Sequence, residues 1–483
     1  MPDLKRKSVR GGAVTMLSQG ISIAIQLAST VTLARLLSPN DYGVMAMVMA
    51  VTGFAGLFRD LGLSSASIQK KDLTTAQQSN LFWINVGMGT LLTAMVASAS
   101  PLVAWFYGKP ELTAVTLALS STFLIGSFGT QSGAMLVRIM QFGRQAAAGI
   151  AGALVGFAVS VTLAYKGLSY WSLVWGNLCG ALVTTALLIK LSPFRPGMMS
   201  KGTGIREMLK FGANITAFDF VNYFHRNLDN LLIGRFIGSE ALGIYSRAYS
   251  LLMLPLNTIR GPINAVGFPA LSRLQNNPEQ FRNYSRSITS IIAFFSMPLV
   301  AFLGVSAGWI IPLVLGPGWD QSIEVFSILA IAAFLQPVSS MRGQVMLSMG
   351  RGDRYLRWGV ANAIITSISF LVGINWGLNG LAMAYAIANT VIFYPSIRYA
   401  FYGTPIRQSD FFVPLLRPAF ASISGVVVLL LWNASVDAGA LGQVSVRIFT
   451  DLPIFGFIYL GLTGVWASGR RDMKAAVNIL RRK

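Results

Sequence analysis

Apolar stretches of helical span length follow one another along the whole chain, and the hydrophilic gaps between them stay under roughly 20 residues. This pattern predicts about fourteen transmembrane helices. The first seven are read at 11–36, 42–58, 81–106, 112–135, 146–165, 171–191 and 211–237. The second seven are read at 242–268, 288–315, 323–349, 358–374, 378–399, 413–431 and 448–467. Runs such as 288–303 are apolar on every face, and the alternation of a membrane β-barrel is absent, so each span reads as a helix. The fold class is therefore an all-α polytopic membrane protein. No room is left for a soluble catalytic domain, and the work of the chain falls to side chains that face other helices or water inside the bilayer.

Composition agrees: 54% of residues are hydrophobic and 11% charged, against about 25% charged in ordinary soluble domains. A single cysteine, Cys179, excludes an intrachain disulfide framework. The amino terminus carries Lys5, Arg6, Lys7 and Arg10 ahead of an apolar run from Gly11 to Leu36 that is too long for a signal-peptide core, so it reads as the first span. The net charge of +21 changes the picture only through its distribution. With both termini in the cytoplasm, roughly 28 basic residues fall in cytoplasmic segments, 3 in external ones (Lys109, Lys166, Arg447) and 7 within spans. Positive-inside retention of loops accounts for most of the excess. No basic face outside the membrane remains to bind nucleic acid.

The chain also repeats itself. Arg35 and Gly43 in LARLLSPNDYG match Arg235 and Gly243 in IGRFIGSEALG, an offset of 200 (235 minus 35). Gly108 matches Gly316 at 208, Phe142-Gly143-Arg144 matches Met349-Gly350-Arg351 at 207, and Gly167-Leu168 matches Gly377-Leu378 at 210. Six spans lie within that spacing. An even number makes both halves enter the membrane in the same sense, related by an axis along its normal. The expected organisation is two pseudo-symmetric six-helix bundles: an N-terminal lobe 1–196 with spans 1–6, and a C-terminal lobe 197–405 with spans 7–12. Residues 406–483 add an extra C-terminal helix pair, spans 13–14, and a basic tail. Two such halves around a central cleft are the usual machinery of alternating access. The extra pair has no role that the sequence defines, although a helix pair beside a cleft could hold a lipid tail.

Span 7 is the polar outlier. Asp219, Asn222, Arg226, Asp229 and Asn230 recur at steps of three and four and so share one helix face, while Phe218, Val221, Phe224, Leu228, Leu231 and Leu232 cover most of the rest. Ionisable groups at this depth cost several kcal/mol if they face lipid, so the stripe faces protein or water. Arg226 lies about 15 residues along the span, near the bilayer middle. A salt bridge between Arg226 and Asp229 at i,i+3 would be the purely structural reading. Arg235, Arg247 and Arg260 extend the positive character along spans 7 and 8, and Arg35 adds to it from the other half. A cationic cleft calls for an anionic cargo, and the planar guanidinium fork suits phosphate. Asp219 and Asp229 are the candidates for carrying a coupling proton or sodium ion. His225, the only histidine, sits beside the stripe but about 100° from Arg226, and reads equally as packed or titrating.

Pro255, Pro262 and Pro269 recur every seven residues in span 8, with Pro298, Pro312, Pro337 and Pro395 later, which favours bending in the second bundle. Gly152 and Gly156 form a GxxxG pair that reads as close helix packing. The Arg351-Gly352-Asp353 triplet and the Asn-x-Ser/Thr triplets at Asn283 and Asn433 have no supporting context. No Ser/His/Asp grouping, metal-spaced cluster or phosphate-cradling glycine loop occurs in the sequence, so no catalytic residue, metal or cofactor is expected.

The segments LARLLSPNDYG (33–43), FRDLGLSSASIQKKDLT (58–74), LFWINV (81–86), FYGKPEL (106–112) and RNLDNLLIGRFIGSEALG (226–243) resemble the Wzx-type polysaccharide exporters of the multidrug/oligosaccharidyl-lipid/polysaccharide flippase superfamily. The resemblance spans at least residues 10–400. It implies a fourteen-helix, two-lobed carrier in the bacterial cytoplasmic (inner) membrane. Such a carrier turns a polyprenyl-diphosphate-linked sugar repeat to the outer leaflet for exopolysaccharide, capsule or O-antigen assembly, beside membrane lipid and in company with polysaccharide polymerase and chain-length proteins. In such carriers cationic cavity residues attend the pyrophosphate or acidic sugars, a role open here to Arg35, Arg226 and Arg235. The acidic residues of span 7 do not match the coupling site of the related drug antiporters. The alternatives are a cation-coupled multidrug antiporter, which would favour cationic cargo and usually twelve spans, and a peptidoglycan-precursor flippase. A membrane-embedded polymerase or glycosyltransferase would show a long catalytic loop, and none is present.

Overall fold

In the computed structural model the protein is described over residues 2–70, 72–202, 204–205, 208, 227–435 and 444–465. Helices and turns make up these residues, with no strand among them. The chain divides into two compact units, Met1–Gly243 and Ile244–Lys483.

The first unit contains α1 (Pro2–Ala34), α2 (Pro39–Gly56), the short α3 (Leu63–Gln69), α4 (Thr75–Ser98), α5 (Ser100–Tyr107), α6 (Glu111–Arg138), α7 (Phe142–Tyr165) and α8 (Trp171–Leu191). Residues 227–232 are helical and lead into a π-helical turn, Ile233–Ile237. Two of these helices start on capping boxes, Ser38 with Asp41 for α2 and Thr74 with Gln77 for α4; each satisfies backbone N–H groups that hydrocarbon could not. The predicted glycine pair acts as read: Gly152 and Gly156 on α7 meet Gly176 and Gly180 on α8, and a Cβ on Gly156 would stand 2.8 Å from the Gly176 carbonyl oxygen. Arg138 at the end of α6 ties the α3 segment down by donating to the carbonyls of Ser67 (2.7 Å) and Lys70 (2.5 Å).

The second unit holds most of α9 (Ser239–Leu274), then α10 (Pro278–Val305), α11 (Ala307–Leu315), α12 (Gln321–Ser339), α13 (Met341–Ser348), α14 (Gly352–Gly373), α15 (Gly377–Phe401), α16 (Gln408–Ser435) and α17 (Val444–Val465). Its main core gathers Phe281, Ile292, Met341, Val345, Ile397 and Phe411. The extra pair α16–α17 is not peripheral: Phe294, Phe302 and Trp309 pack with Ala421, Phe455 and Tyr459. Polar contacts fix the same seam. The Tyr459 hydroxyl donates to the Phe294 carbonyl (2.7 Å), and the Trp309 indole N–H to the buried Asp451 carboxylate (3.1 Å).

Ten segments among the described residues are long and apolar enough to cross a membrane by length and composition. One of them, Gly352–Phe401, holds both α14 and α15. The spans read at 42–58 and 242–268 are helical, as α2 and α9, without counting among the ten, and most of the span read at 211–237 lies outside the described residues. Three predicted spans differ in detail. The one at 81–106 breaks at Ala99 between α4 and α5, the one at 288–315 at Ser306 between α10 and α11, and the one at 323–349 at Ser340 between α12 and α13. By contrast, α9 stays a single 36-residue helix through its three prolines. At 1.5 Å per residue it is about 54 Å long, more than the roughly 30 Å hydrocarbon core, so it continues past the membrane face.

In the turn after α2, Asp60 accepts the backbone N–H (3.1 Å) and the hydroxyl (2.9 Å) of Ser64 in the first turn of α3. Burial nevertheless raises its carboxyl above the ordinary 3.8, with the Ser64 hydrogen bonds and the Arg59 charge only partly opposing. A raised acid favours the fold while protonated, and that contribution is lost as pH climbs from 3.8 through the raised value. Asp60→Asn, which keeps an acceptor without the charge, should flatten the fall in thermal stability of the detergent-purified protein between acid and neutral pH. An unchanged pH profile would remove Asp60 from the account.

Candidate functional site

The repeated motif that opens α2 and α9 is folded onto itself within the first unit. A Cβ on Gly43 would lie 1.7 Å from the Ser239 carbonyl oxygen, and a Cβ on Gly243 would lie 1.8 Å from the Pro39 carbonyl oxygen. Position 239 is the counterpart of 39, as 243 is of 43, so the two copies touch reciprocally about a local two-fold. Only glycine permits that approach. The Ser239 hydroxyl donates to the Asn40 side-chain oxygen beside it. Asp41, buried at 6% exposure, anchors the same turn. One carboxylate oxygen accepts from the Ser38 N–H and hydroxyl, both at 2.8 Å, and the other from the Ser169 hydroxyl and the Tyr170 N–H at the head of α8.

Two of the predicted arginines flank this contact. Arg35, exposed just past the end of α1, and Arg235, exposed in the π-helical turn, each stand four residues before a contact residue, Pro39 and Ser239. The Arg235 guanidinium carbon lies 5.8 Å from the centroid of the Phe106 ring. Asp229 is buried and its carboxylate accepts the backbone N–H of the half-buried Asn230 at 2.8 Å. Arg247 and Arg260 are half-buried on α9, in the second unit. Asp219, Asn222, His225 and Arg226 lie outside the described residues, and with them the proposed Arg226–Asp229 pair. No group of three or more His, Cys, Asp and Glu that could hold a metal occurs among the described residues.

Asp41 does carry a local signal in the sequence, the capping-box spacing of Ser38-Pro-Asn-Asp41. The contact of Gly43 and Gly243 with the opposite turn is a fact of tertiary structure with no local signal.

Residues 32–324 match the family described as polysaccharide biosynthesis protein, more than half of the chain. The chain belongs to that family. As a member of the polysaccharide biosynthesis family it is similar along nearly its full length to several bacterial proteins. Lipopolysaccharide biosynthesis protein WzxC of Escherichia coli (strain K12) is 25% identical, with 88% of this chain and 87% of the relative covered. Teichuronic acid biosynthesis protein TuaB of Bacillus subtilis (strain 168) is 27% identical, with 96% of each covered. Succinoglycan biosynthesis transport protein ExoT of Rhizobium meliloti (strain 1021) is 22% identical, with 89% and 87% covered. Among solved structures, the lipid II flippase MurJ in its inward closed conformation shares the fold at a TM-score of 0.75 and 15% identity, covering 93% of this chain and 97% of that one. An inward-facing multidrug resistance transporter of the MATE family shares it at 0.64 and 16% identity, covering 78% and 93%.

Proposed function

We propose that this family member is a transporter and not an enzyme. It flips a polyprenyl-diphosphate-linked oligosaccharide repeat unit across the bacterial inner membrane by alternating access, ahead of polymerisation. The observation that carries this reading is the match along nearly the whole chain to proteins named for lipopolysaccharide, teichuronic acid and succinoglycan biosynthesis or transport. The flippase and transporter fold supports it. In this reading both termini are cytoplasmic, 1–196 and 197–405 are the moving halves, and 406–483 adds an extra pair whose helices α16 and α17 pack within the second unit. Arg35, Arg226, Arg235, Arg247 and Arg260, with Asn222 and Asn230, attend the anionic cargo. Asp219, Asp229 or His225 carries a coupling proton or sodium ion, and a polymerase and chain-length proteins receive the product.

Deleting the gene from its host should abolish surface polymer and leave lipid-linked repeat units on the cytoplasmic face, with both defects reversed by the wild-type chain. Normal polymer in the deletion strain would overturn the proposal. Because the lipid II flippase shares the fold so fully, a second arm asks whether the chain rescues cells depleted of their own lipid II flippase. Rescue there would move the cargo to a peptidoglycan precursor.

A further inference from the structure

The internal duplication lets one half be compared with the other position by position. Glu111–Arg138 and Gln321–Ser348 are both 28 residues long and start 210 residues apart (321 minus 111). Each ends on the same turn. Met140 (φ 60°) and Gly350 (φ 71°) are left-handed, the Met140 and Gly350 N–H groups bond to the carbonyls of Val137 and Leu347, and the next N–H in each case reaches back five residues, Gln141 to Leu136 and Arg351 to Met346. Helices α7 and α14 then begin 210 apart, at Phe142 and Gly352. Arg144 and Arg354, again 210 apart, donate to the Leu191 and Tyr402 carbonyls at the ends of α8 and α15. The register over this region is thus 210, which pairs Arg144 with Arg354 where sequence alone pairs it with Arg351.

In that register two small residues of the first unit are the counterparts of two large ones in the second. Ser132 and Ala148, exposed by only 3% and 0%, correspond to Arg342 and Trp358 (342 minus 132, 358 minus 148). The Arg342 guanidinium carbon lies 5.5 Å from the centroid of the Trp358 ring. Its Nε donates to the Ser339 carbonyl (3.1 Å), just before the break at Ser340 that α6 lacks. Tyr355 closes the same spot, 3.0 Å from where a Cβ on Gly343 would stand. Arg342 is half-buried, and among the described residues no carboxylate forms an ion pair with it. Neither terminal nitrogen of its guanidinium finds a protein acceptor among them. Six residues before the end of Gln321–Ser348, it sits roughly 9 Å inside that end.

A charge held at that depth without a counter-ion is costly unless something transient supplies the anion. A cation–π contact with the indole and the Nε bond to Ser339 restrain the guanidinium and leave its terminal N–H groups for two-point contact with an oxyanion. We propose that Arg342, held against Trp358, binds an oxyanion of the transported glycan lipid, either the diphosphate or a sugar carboxylate. The assignment rests on the flippase reading above and gives the second unit a cargo contact that the first unit does not duplicate.

The test uses the full-length chain purified in detergent, with inorganic diphosphate and glucuronate as probes. The variants are Arg342→Gln, Arg342→Lys, and Arg342→Ser combined with Trp358→Ala, which copies the packing of the other half and so guards against a folding failure. Removing the guanidinium should weaken one probe by about tenfold or more, with Lys intermediate. Loss for diphosphate assigns the site to the carrier, and loss for glucuronate to the sugar. In the deletion strain the same variants, at normal membrane levels, should export far less polymer than wild type. Wild-type affinity for neither probe, unchanged affinity for both, or full export by the double variant would each overturn the inference. If wild type itself failed to restore export, the flippase reading would fall instead.

Discussion

Gly43→Ala is expected to bring polymer export down to background while leaving synthesis and membrane insertion intact. The added methyl would start 1.7 Å from the Ser239 carbonyl oxygen, where side-chain carbons do not come closer than 3.0 Å, so the two turns must part by roughly 1.3 Å (3.0 minus 1.7). Neither side is a flexible side chain. Both are backbone at helix starts, and Asp41 holds one of them with hydrogen bonds to Ser38, Ser169 and Tyr170. Overpacking of this kind costs about 1–3 kcal/mol, here set against a single conformational contact rather than the whole fold. Gly243→Ala should behave alike, since its methyl would meet the Pro39 carbonyl at 1.8 Å. Gly149→Ala, with nothing within 4 Å, supplies the neutral control. Wild-type export from Gly43→Ala would show that the close approach is not needed in the working cycle.

Arg226→Ala should be as severe for a different reason. The sequence puts this arginine near the middle of a span, on a face shared with Asp219, Asn222, Asp229 and Asn230, where an unpaired charge would be selected against unless it served the cargo or a salt bridge. If it serves the cargo, export is lost at normal expression, and Arg226→Lys recovers only part of it because the two-point fork is gone. If it serves only a bridge to Asp229, the double replacement Arg226→Ala with Asp229→Ala should export better than either single change. That second pattern would retire Arg226 as a binding residue and leave it as a strut.

Much of the membrane architecture could be read from hydropathy, because a helix surrounded by lipid advertises itself over some twenty residues. What could not be read was anything resting on one residue or on one distance. The break at Ala99 had a local mark, Ser98 and Ser100 with Pro101 at the start of α5, whereas the one at Ser306 interrupts a mostly apolar run and α3 lies in the gap between two spans. The duplication was legible because turn glycines need positive φ: Gly108 (68°) and Gly316 (87°), Gly167 (77°) and Gly377 (72°) mark the same corners twice. Arg342 also carries a signal in the sequence. It is an arginine inside a span with no acidic residue one turn away on either side, a pattern that calls for a partner from elsewhere.

The reciprocal fit of 39–43 against 239–243 has an ancestral corollary. A surface that is its own complement is what an isologous homodimer requires. A single-bundle precursor with this turn could have paired with a second identical chain through the same glycines, long before gene fusion joined the two copies into one polypeptide. Expressing either bundle alone would then revive an old self-association rather than yield a solitary fragment.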